Sequence, residues 1–141
     1  MAKRTLLKNK TLIIGCGRLG ASIASKISKE GKNVLIIDRN EASFDILDDS
    51  FSGYKINGDV TDIATLEEAY IASAKEIIIT TGNDNVNLFL AFVSRDIYDV
   101  PKIYVRLDDP ELAKLLDGKR VDLILPYQLS FDKFGFMRGG K

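Results

Sequence analysis

Residues 11–38 place a glycine-rich turn between two apolar runs, and this feature constrains the fold more than any other. The first apolar run ends at Gly15, and Gly17 and Gly20 complete the spacing G-x-G-x-x-G. A helical pattern follows, and a second apolar run then ends at Asp38. A strand, a glycine turn, a helix and a second strand that ends in an acid predict a βαβ unit of the mononucleotide-binding kind.

Each residue type in this unit suits a phosphate-bearing ligand. Gly15 permits the tight turn, Gly17 lets a pyrophosphate approach the backbone, and Gly20 lets the helix pack closely on the strand. The amides and the dipole at the start of the helix favour an anion there. Asp38 lies about 20 residues beyond the glycines, where a carboxylate accepts hydrogen bonds from ribose hydroxyls. Nucleotide binding is favoured over a Rossmann-like fold without a ligand.

Composition narrows the class of protein. The chain has 141 residues, which suggests one domain, and 20 basic and 20 acidic residues give zero net charge. No global field favours nucleic acid, so no nucleic-acid partner is expected. One cysteine permits neither a disulfide framework nor a cysteine-based zinc site, and it fits a reducing intracellular compartment. The apolar runs are far shorter than the roughly 20 residues that span a bilayer.

Apolar runs alternate with helical patterns along the chain, which predicts a doubly wound α/β fold. The predicted fold contains a single Rossmann-like parallel sheet of six strands in the order 3-2-1-4-5-6. The predicted strands are 11–15, 33–38, 53–57, 75–81, 102–106 and 121–125. The predicted helices are 18–30, 40–49, 62–70, 84–97, 108–116 and 127–137. Asp108 or Asp109 is expected to cap the fifth helix.

The pattern divides the chain into a basic N-terminal arm (1–10), a Rossmann domain (11–126) and a C-terminal helix with its tail (127–141). The arm is expected to be solvated; its basic residues are Lys3, Arg4, Lys8 and Lys10. The final segment is rich in large apolar residues, which suits docking on a partner or a second copy. These residues are Phe131, Phe134, Phe136 and Met137. A second apolar set comprises Leu88, Phe89, Phe92 and Val93. These residues are expected to face the sheet as core, and a subunit interface is the less favoured alternative.

Polar residues collect where the predicted strands end, which is where a doubly wound sheet binds its ligand. Asp59 and Val60 are candidates for the adenine side, although Asp59 fits helix capping equally well. The residues after the fourth strand, Thr80 to Gly82, are expected near the ribose or phosphates. Asp84 is expected to cap a helix.

Three arginines are candidate phosphate contacts. Arg18 lies inside the glycine turn, where a guanidinium pairs with phosphate oxygens. Arg39 either stacks on adenine, accepts a ribose 2′-phosphate, or is simply solvated. Arg106, at the end of the fifth strand, contacts either a phosphate or a partner.

An NAD(P)-dependent oxidoreductase domain is the alternative function. Tyr98 and Lys102 have the Tyr-x-x-x-Lys spacing of short-chain reductases, but Pro101 between them argues against a shared helical face. The chain contains no histidine, so Cys16 has no imidazole to activate it and is expected to be a small turn residue. A methyltransferase is disfavoured by the pyrophosphate-type spacing and by Arg18. No catalytic residue and no metal site is therefore predicted.

Five segments together resemble the RCK, KTN or TrkA-N domains of potassium-transport regulators, over residues from about 10 to 130. The segments are GCGRLGASIA (15–24), VLIIDRN (34–40), INGDVTD (56–62), IIITTGNDNVNL (77–88) and VPKIYVRLDDPELAKLL (100–116).

The resemblance implies a cytoplasmic regulatory subunit rather than an enzyme, held at the inner face of the membrane by its partner. It implies that the subunits form dimers or rings on a potassium channel or on a Trk or Ktr transporter. The nucleotide that controls gating of this partner would be NAD or NADH, or ATP, ADP or AMP. Pattern and resemblance together assign cofactor binding to Gly15, Cys16, Gly17, Arg18, Leu19, Gly20, Asp38, Arg39, Asp59, Val60, Thr80, Thr81, Gly82 and Arg106.

The sequence departs from the family pattern in two places. Many relatives carry a glutamate soon after the proline that follows the last strand, whereas Tyr127 and Gln128 follow Pro126 here. A metal or phosphate contact through that acid is therefore not expected. The chain is also too short to contain the second, ligand-sensing lobe of many relatives, so an effect of such a ligand is not expected.

Overall fold

A computed structural model of the protein describes residues 10–116 and 120–140, and its centre is a six-stranded, fully parallel sheet. The strand order is β3-β2-β1-β4-β5-β6, which confirms the predicted doubly wound topology. The strands are β1 (Thr11–Ile14), β2 (Val34–Asp38), β3 (Tyr54–Asn57), β4 (Glu76–Ile79), β5 (Lys102–Arg106) and β6 (Val121–Ile124).

Helices connect the strands in the predicted order, with differences in type and length. The helices are α1 (Arg18–Lys29), α2 (Ile63–Glu68), α3 (Asp84–Phe92), α4 (Pro110–Ala113) and α5 (Pro126–Gly139). The helix predicted over 40–49 is a 3₁₀ helix, Glu41–Ile46. The helix predicted over 84–97 is α-helical to Phe92 and continues as a π-helical turn, Val93–Ile97. The helix predicted over 108–116 contains only four α-helical residues and begins after Asp109, whose side chain accepts a hydrogen bond from the Glu111 amide as the predicted cap.

Two hydrophobic cores cover the two faces of the sheet. One face packs against α2 and α3, with Leu66 and Leu90 fully buried. The other packs against α1 and the 3₁₀ helix, where Ala24 and Phe44 meet Ile13 and its neighbours. Because both faces of β1 and β2 are covered, these strands are continuous runs of buried aliphatic residues rather than alternating ones.

Lys10 departs from the expectation of a solvated basic arm. It is fully buried at the start of β1, and its Nζ donates a hydrogen bond to the Tyr70 carbonyl oxygen at 3.3 Å. Burial lowers the pKa of Lys10 to about 8, because the ammonium loses its hydration. Lys3, Arg4 and Lys8, which are also expected to be solvated, lie outside the described residues.

The two apolar sets differ in exposure. On α3 and the π turn, Val93 is buried, Leu88 and Phe92 pack against the core, and Phe89 is 39 % exposed. On α5, large apolar side chains are more than half exposed: Tyr127, Leu129, Phe131, Phe134, Phe136 and Met137. Within residues 10–116 and 120–140, no helix is long and apolar enough to cross a membrane.

Candidate functional site

A crevice of about 440 Å³ opens at the carboxyl ends of the strands, where the sequence predicts a ligand. A larger groove, of about 770 Å³, runs along α1 and the end of the 3₁₀ helix, away from the strand ends. The crevice is lined by Gly15, Gly17, Asp38, Arg39, Ser43, Asp59, Val60, Thr61, Thr80, Thr81, Gly82, Asn83, Val86 and Arg106.

The glycine turn is locked against the end of β4. Gly15 has φ +101°, and a Cβ there would lie 2.9 Å from the backbone of Thr80 and Thr81. A Cβ on Gly20 would lie 1.9 Å from the Gly15 carbonyl oxygen and 2.6 Å from Thr80 Oγ1. The buried Thr80 hydroxyl lies 3.1 Å from the carbonyl oxygens of both Ile14 and Gly15, either of which accepts its hydrogen bond. These two glycines are therefore required by packing before any ligand is considered.

Gly17 has a different role from its neighbours. A Cβ at this position would meet nothing within 4 Å, and its φ of −86° suits any residue. Gly17 is the N-cap of α1, and it brings no side chain to cover the amides of the first turn. The absence of a side chain here leaves these amides open to an anion.

Asp38 joins the glycine turn to the end of β2. One carboxylate oxygen, Oδ2, accepts a hydrogen bond from the Cys16 amide at 2.8 Å, and Oδ1 accepts one from the Asn40 amide at 2.8 Å. A carboxylate offers about four acceptor positions, so capacity remains for two hydroxyl groups of a ribose. The amides hold the carboxylate in place at the crevice wall.

Cys16 is buried beneath the glycine turn and is 2 % exposed. Burial raises the pKa of its thiol to about 11, and the neighbouring Asp38 charge acts in the same direction. A neutral, covered thiol is a poor nucleophile.

The predicted binding residues fall into two groups in the structure. Ten of them line the crevice, and four do not: Cys16, Arg18, Leu19 and Gly20. Arg18 is exposed and lines the larger groove along α1, whereas Gly20 is buried against Gly15. Ser43, Thr61 and Val86 line the crevice although the sequence did not single them out. Asn83 also lines the crevice, and it belongs to the polar residues that follow β4 in the sequence.

The carboxylate of Asp59 faces the crevice and does not cap α2. Its Oδ1 accepts hydrogen bonds from the Thr61 amide (2.9 Å) and the Thr61 hydroxyl (2.7 Å), and these bonds lower the pKa of Asp59. The N-cap of α2 is Asp62, whose Oδ1 accepts from the Ala64 amide. Of the two interpretations of Asp59, helix capping is excluded.

Asp84 was expected to be a helix cap, and that expectation is wrong. Asn83 is the N-cap of α3, and its side chain accepts a hydrogen bond from the Val86 amide. The Asp84 carboxylate instead accepts from the Asp108 and Asp109 amides at 2.8–3.1 Å. Asp84 therefore ties the start of α3 to the β5–α4 connection beside Arg106.

Tyr98 and Lys102 do not form a catalytic pair at the crevice. Tyr98 follows the π turn and Lys102 begins β5, so both lie at the amino end of the strand. Lys102 Nζ forms an ion pair with Asp122 at 3.1 Å. Among the described parts of the chain, no group of three Asp, Glu or Cys side chains is arranged to hold a metal ion.

The sequence model of the TrkA-N domain matches residues 11–126. The chain belongs to the TrkA-N domain family. The predicted resemblance is thus confirmed.

This TrkA-N chain is 36 % identical over 104 residues to the Trk system potassium uptake protein TrkA of Streptomyces coelicolor, covering 74 % of this chain and 47 % of that protein. It is 35 % identical over 114 residues to the TrkA homolog of Methanothermobacter thermautotrophicus, covering 81 % and 52 %. The chain therefore spans about half the length of these relatives.

Solved structures share the TrkA-N fold. The TrkA-N domain of the inner membrane protein ybaL from Escherichia coli superposes with a TM-score of 0.79 at 16 % identity, covering 92 % of this chain and 96 % of that one. GsuK bound to ADP gives a TM-score of 0.78 at 25 % identity, covering 94 % and 34 %. The GsuK channel bound to NAD gives 0.78 at 27 % identity, covering 92 % and 23 %.

Proposed function

We propose that this chain binds an adenine nucleotide, either NAD(H) or ATP, ADP or AMP, in the crevice and thereby regulates a potassium uptake transporter or channel. The observation that carries the proposal is the convergence of Gly17, Asp38 and Arg106 on one crevice at the carboxyl ends of the strands. Open amides suit phosphate, and a fixed carboxylate suits ribose hydroxyls. The TrkA relatives are named as potassium uptake proteins, and GsuK structures contain NAD or ADP.

The role proposed is regulatory rather than catalytic. An oxidoreductase needs an acid or base beside the hydride acceptor, and the chain has no histidine. Tyr98 and Lys102 lie at the wrong end of β5 for that task. A nucleotide regulates by binding two assembly states with different affinity. The proposed partner is a membrane potassium transporter or channel at the inner face of the membrane, and the names of the TrkA relatives and of the GsuK channel support it.

Self-association through residues 127–141 is the second part of the proposal. At 100° per residue, Tyr127, Phe131 and Phe134 share one side of α5, whereas Leu129 and Phe136 lie on the opposite side. A helix that is apolar on opposite sides is normally buried between two surfaces. A dimer or ring that encloses α5 would cover both.

The test of nucleotide binding compares two aspartates that share the same local geometry. Asp38 and Asp48 each accept a hydrogen bond from the amide two residues further on, but only Asp38 lines the crevice. Isothermal titration calorimetry with NAD, NADH, ATP, ADP and AMP should give binding that Asp38→Ala weakens at least about tenfold. The matched variant Asp48→Ala should leave the dissociation constant unchanged.

Two outcomes would overturn the proposal. One is the absence of heat with every nucleotide on a folded wild-type chain. The other is equal loss of affinity in Asp38→Ala and Asp48→Ala. Steady oxidation of NADH by the wild-type chain would instead support the oxidoreductase alternative.

A further inference from the structure

We propose that Asn87 is a positioning residue for the nucleotide crevice, acting on Arg106 from inside α3 without touching the ligand. The proposal rests on the proposed nucleotide binding. Asn87 is fully buried and does not line the crevice, but it bonds to Thr81 and Arg106, which both do.

The carboxamide of Asn87 makes hydrogen bonds through all of its polar groups. Its Oδ1 accepts from the Thr81 amide at 3.2 Å and from the Thr81 hydroxyl. Its Nδ2 donates to the Thr81 carbonyl oxygen at 3.0 Å and to the Arg106 carbonyl oxygen at 2.8 Å. One short side chain with an acceptor and two donors is needed for this set, and asparagine supplies it.

Asn87 bridges two strands at the point where their own pairing ends. The register of β4 with β5 runs from Glu76↔Lys102 to Ile79↔Val105. Thr81 and Arg106 lie beyond it, at the mouth of the crevice. Asn87 therefore takes the place of backbone pairing there and sets the separation between the two edges that face a nucleotide.

Arg106 is the charged crevice residue that this bridge holds, through its backbone carbonyl. Its side chain is 30 % exposed and forms an ion pair with Asp108 at 3.5 Å, and the guanidinium is the charged donor that β5 brings to the crevice. Loss of the Asn87 bond would release the carbonyl of the last β5 residue and leave it unsatisfied. The guanidinium would then sample positions in which it does not meet a phosphate.

A double-mutant cycle separates positioning from general stability. Calorimetry with ADP and with NAD would be run on the wild-type chain, Asn87→Ala, Arg106→Ala and the double variant. If Asn87 acts through Arg106, Asn87→Ala weakens binding about tenfold when Arg106 is present and less than about twofold when it is absent. If the alanine variant does not fold, Asn87→Ser, which retains one hydroxyl donor, replaces it in the cycle.

Leu90→Ala is the matched control, because Leu90 is equally buried on α3 and packs in the core away from the crevice. It should lower the melting temperature yet leave the dissociation constants within about twofold. Additive losses in the cycle, unchanged affinity in Asn87→Ala, or an equal loss in Leu90→Ala would each overturn the positioning role. If the wild-type chain binds neither ADP nor NAD, the proposed function fails and the inference with it; if it binds and the cycle is additive, only the inference fails.

Discussion

At the residue scale, the glycines of the first turn are required for different reasons. Gly15 and Gly20 are enclosed by the backbone of the turn and of β4, so their small size is demanded by the fold. Gly17 faces open space, so its small size has no explanation in the packing. The nucleotide proposal supplies that explanation, since a pyrophosphate would occupy the space that a methyl group would fill.

Alanine substitution should separate these roles. Gly20→Ala should destabilise the fold by about 3 kcal/mol or more, because its Cβ would overlap the Gly15 carbonyl oxygen. Gly17→Ala should cost no more than about 1 kcal/mol of unfolding free energy, because alanine is a poorer N-cap than glycine, but weaken nucleotide binding about tenfold. Urea titration and calorimetry measure the two effects. If Gly17→Ala bound nucleotide with full affinity, the proposal that the phosphate lies at the glycine turn would be wrong.

The Cys16 thiol should react slowly in the folded chain. With a pKa of about 11, roughly one thiol in a thousand is ionised at pH 8, and the side chain is also covered. Maleimide labelling at pH 8 should therefore be slow in buffer and fast in urea. Rapid labelling of the native chain would contradict the assigned pKa.

The same pKa shift predicts a direction of pH dependence. Between about pH 9 and 11 the unfolded chain releases the thiol proton while the folded chain retains it. The unfolded state then binds fewer protons, so this group lowers stability as pH rises. Cys16→Ser, compared with the wild type by urea titration across that range, should lose this component of the slope.

At the element scale, α3 organises one side of the crevice. Its N-cap is Asn83, its first-turn residue Asp84 holds the β5–α4 connection, and Asn87 one turn later joins β4 to β5. The Asn83 side chain caps α3 itself, whereas Asp84 and Asn87 fix α3 relative to the ends of β4 and β5. The polar residues at the start of α3 position the crevice, and Leu90 packs the same helix into the core.

Removing the Asp84 carboxylate should loosen that connection. Asp84→Ala leaves the Asp108 and Asp109 amides without their acceptor and should cost about 1–2 kcal/mol of unfolding free energy. Urea titration measures the loss. Asp49→Ala, at an exposed aspartate between β2 and β3, should be neutral. Equal effects of the two substitutions would show that the Asp84 bonds contribute nothing.

At the scale of the whole molecule, the sheet is covered on both faces near β1 and β2, whereas α5 leaves its aromatic residues to solvent. Six large apolar side chains on one fourteen-residue helix are more than half exposed. Exposed large apolar side chains at this density typically mark an interaction site. Self-association is the arrangement proposed to cover it.

Charge placed on α5 should dissociate that assembly. Phe131→Asp should weaken self-association at least about tenfold, because it puts a charge in the apolar stripe and removes a ring that stacks on Tyr127. Gln128→Lys places a charge on the polar side of α5, beside Asp132, and should have a much smaller effect. Sedimentation equilibrium measures both. A wild-type chain that sediments as a monomer would refute the interface.

The sequence by itself determined the sheet and the position of the crevice. Aliphatic runs, punctuating glycines and acids at strand ends specify a parallel sheet locally, and the carboxyl ends of parallel strands share one edge. These signals lie in adjacent residues, so the order of strands and the placement of Asp38 could be predicted without coordinates, whereas Asp59 stayed open between the crevice and a helix cap.

Only the tertiary structure decided which polar side chain meets which distant partner. Asp84 looks like a cap in sequence, but its partners are 24 and 25 residues away; Asn87 reaches Arg106 across 19 residues; and Lys10 is buried against Tyr70, 60 residues on. Arg18 lies among the glycines yet lines the groove along α1. Periodicity reports which face a residue occupies, whereas hydrogen-bond partners depend on the distances between elements, which are set only when the chain packs.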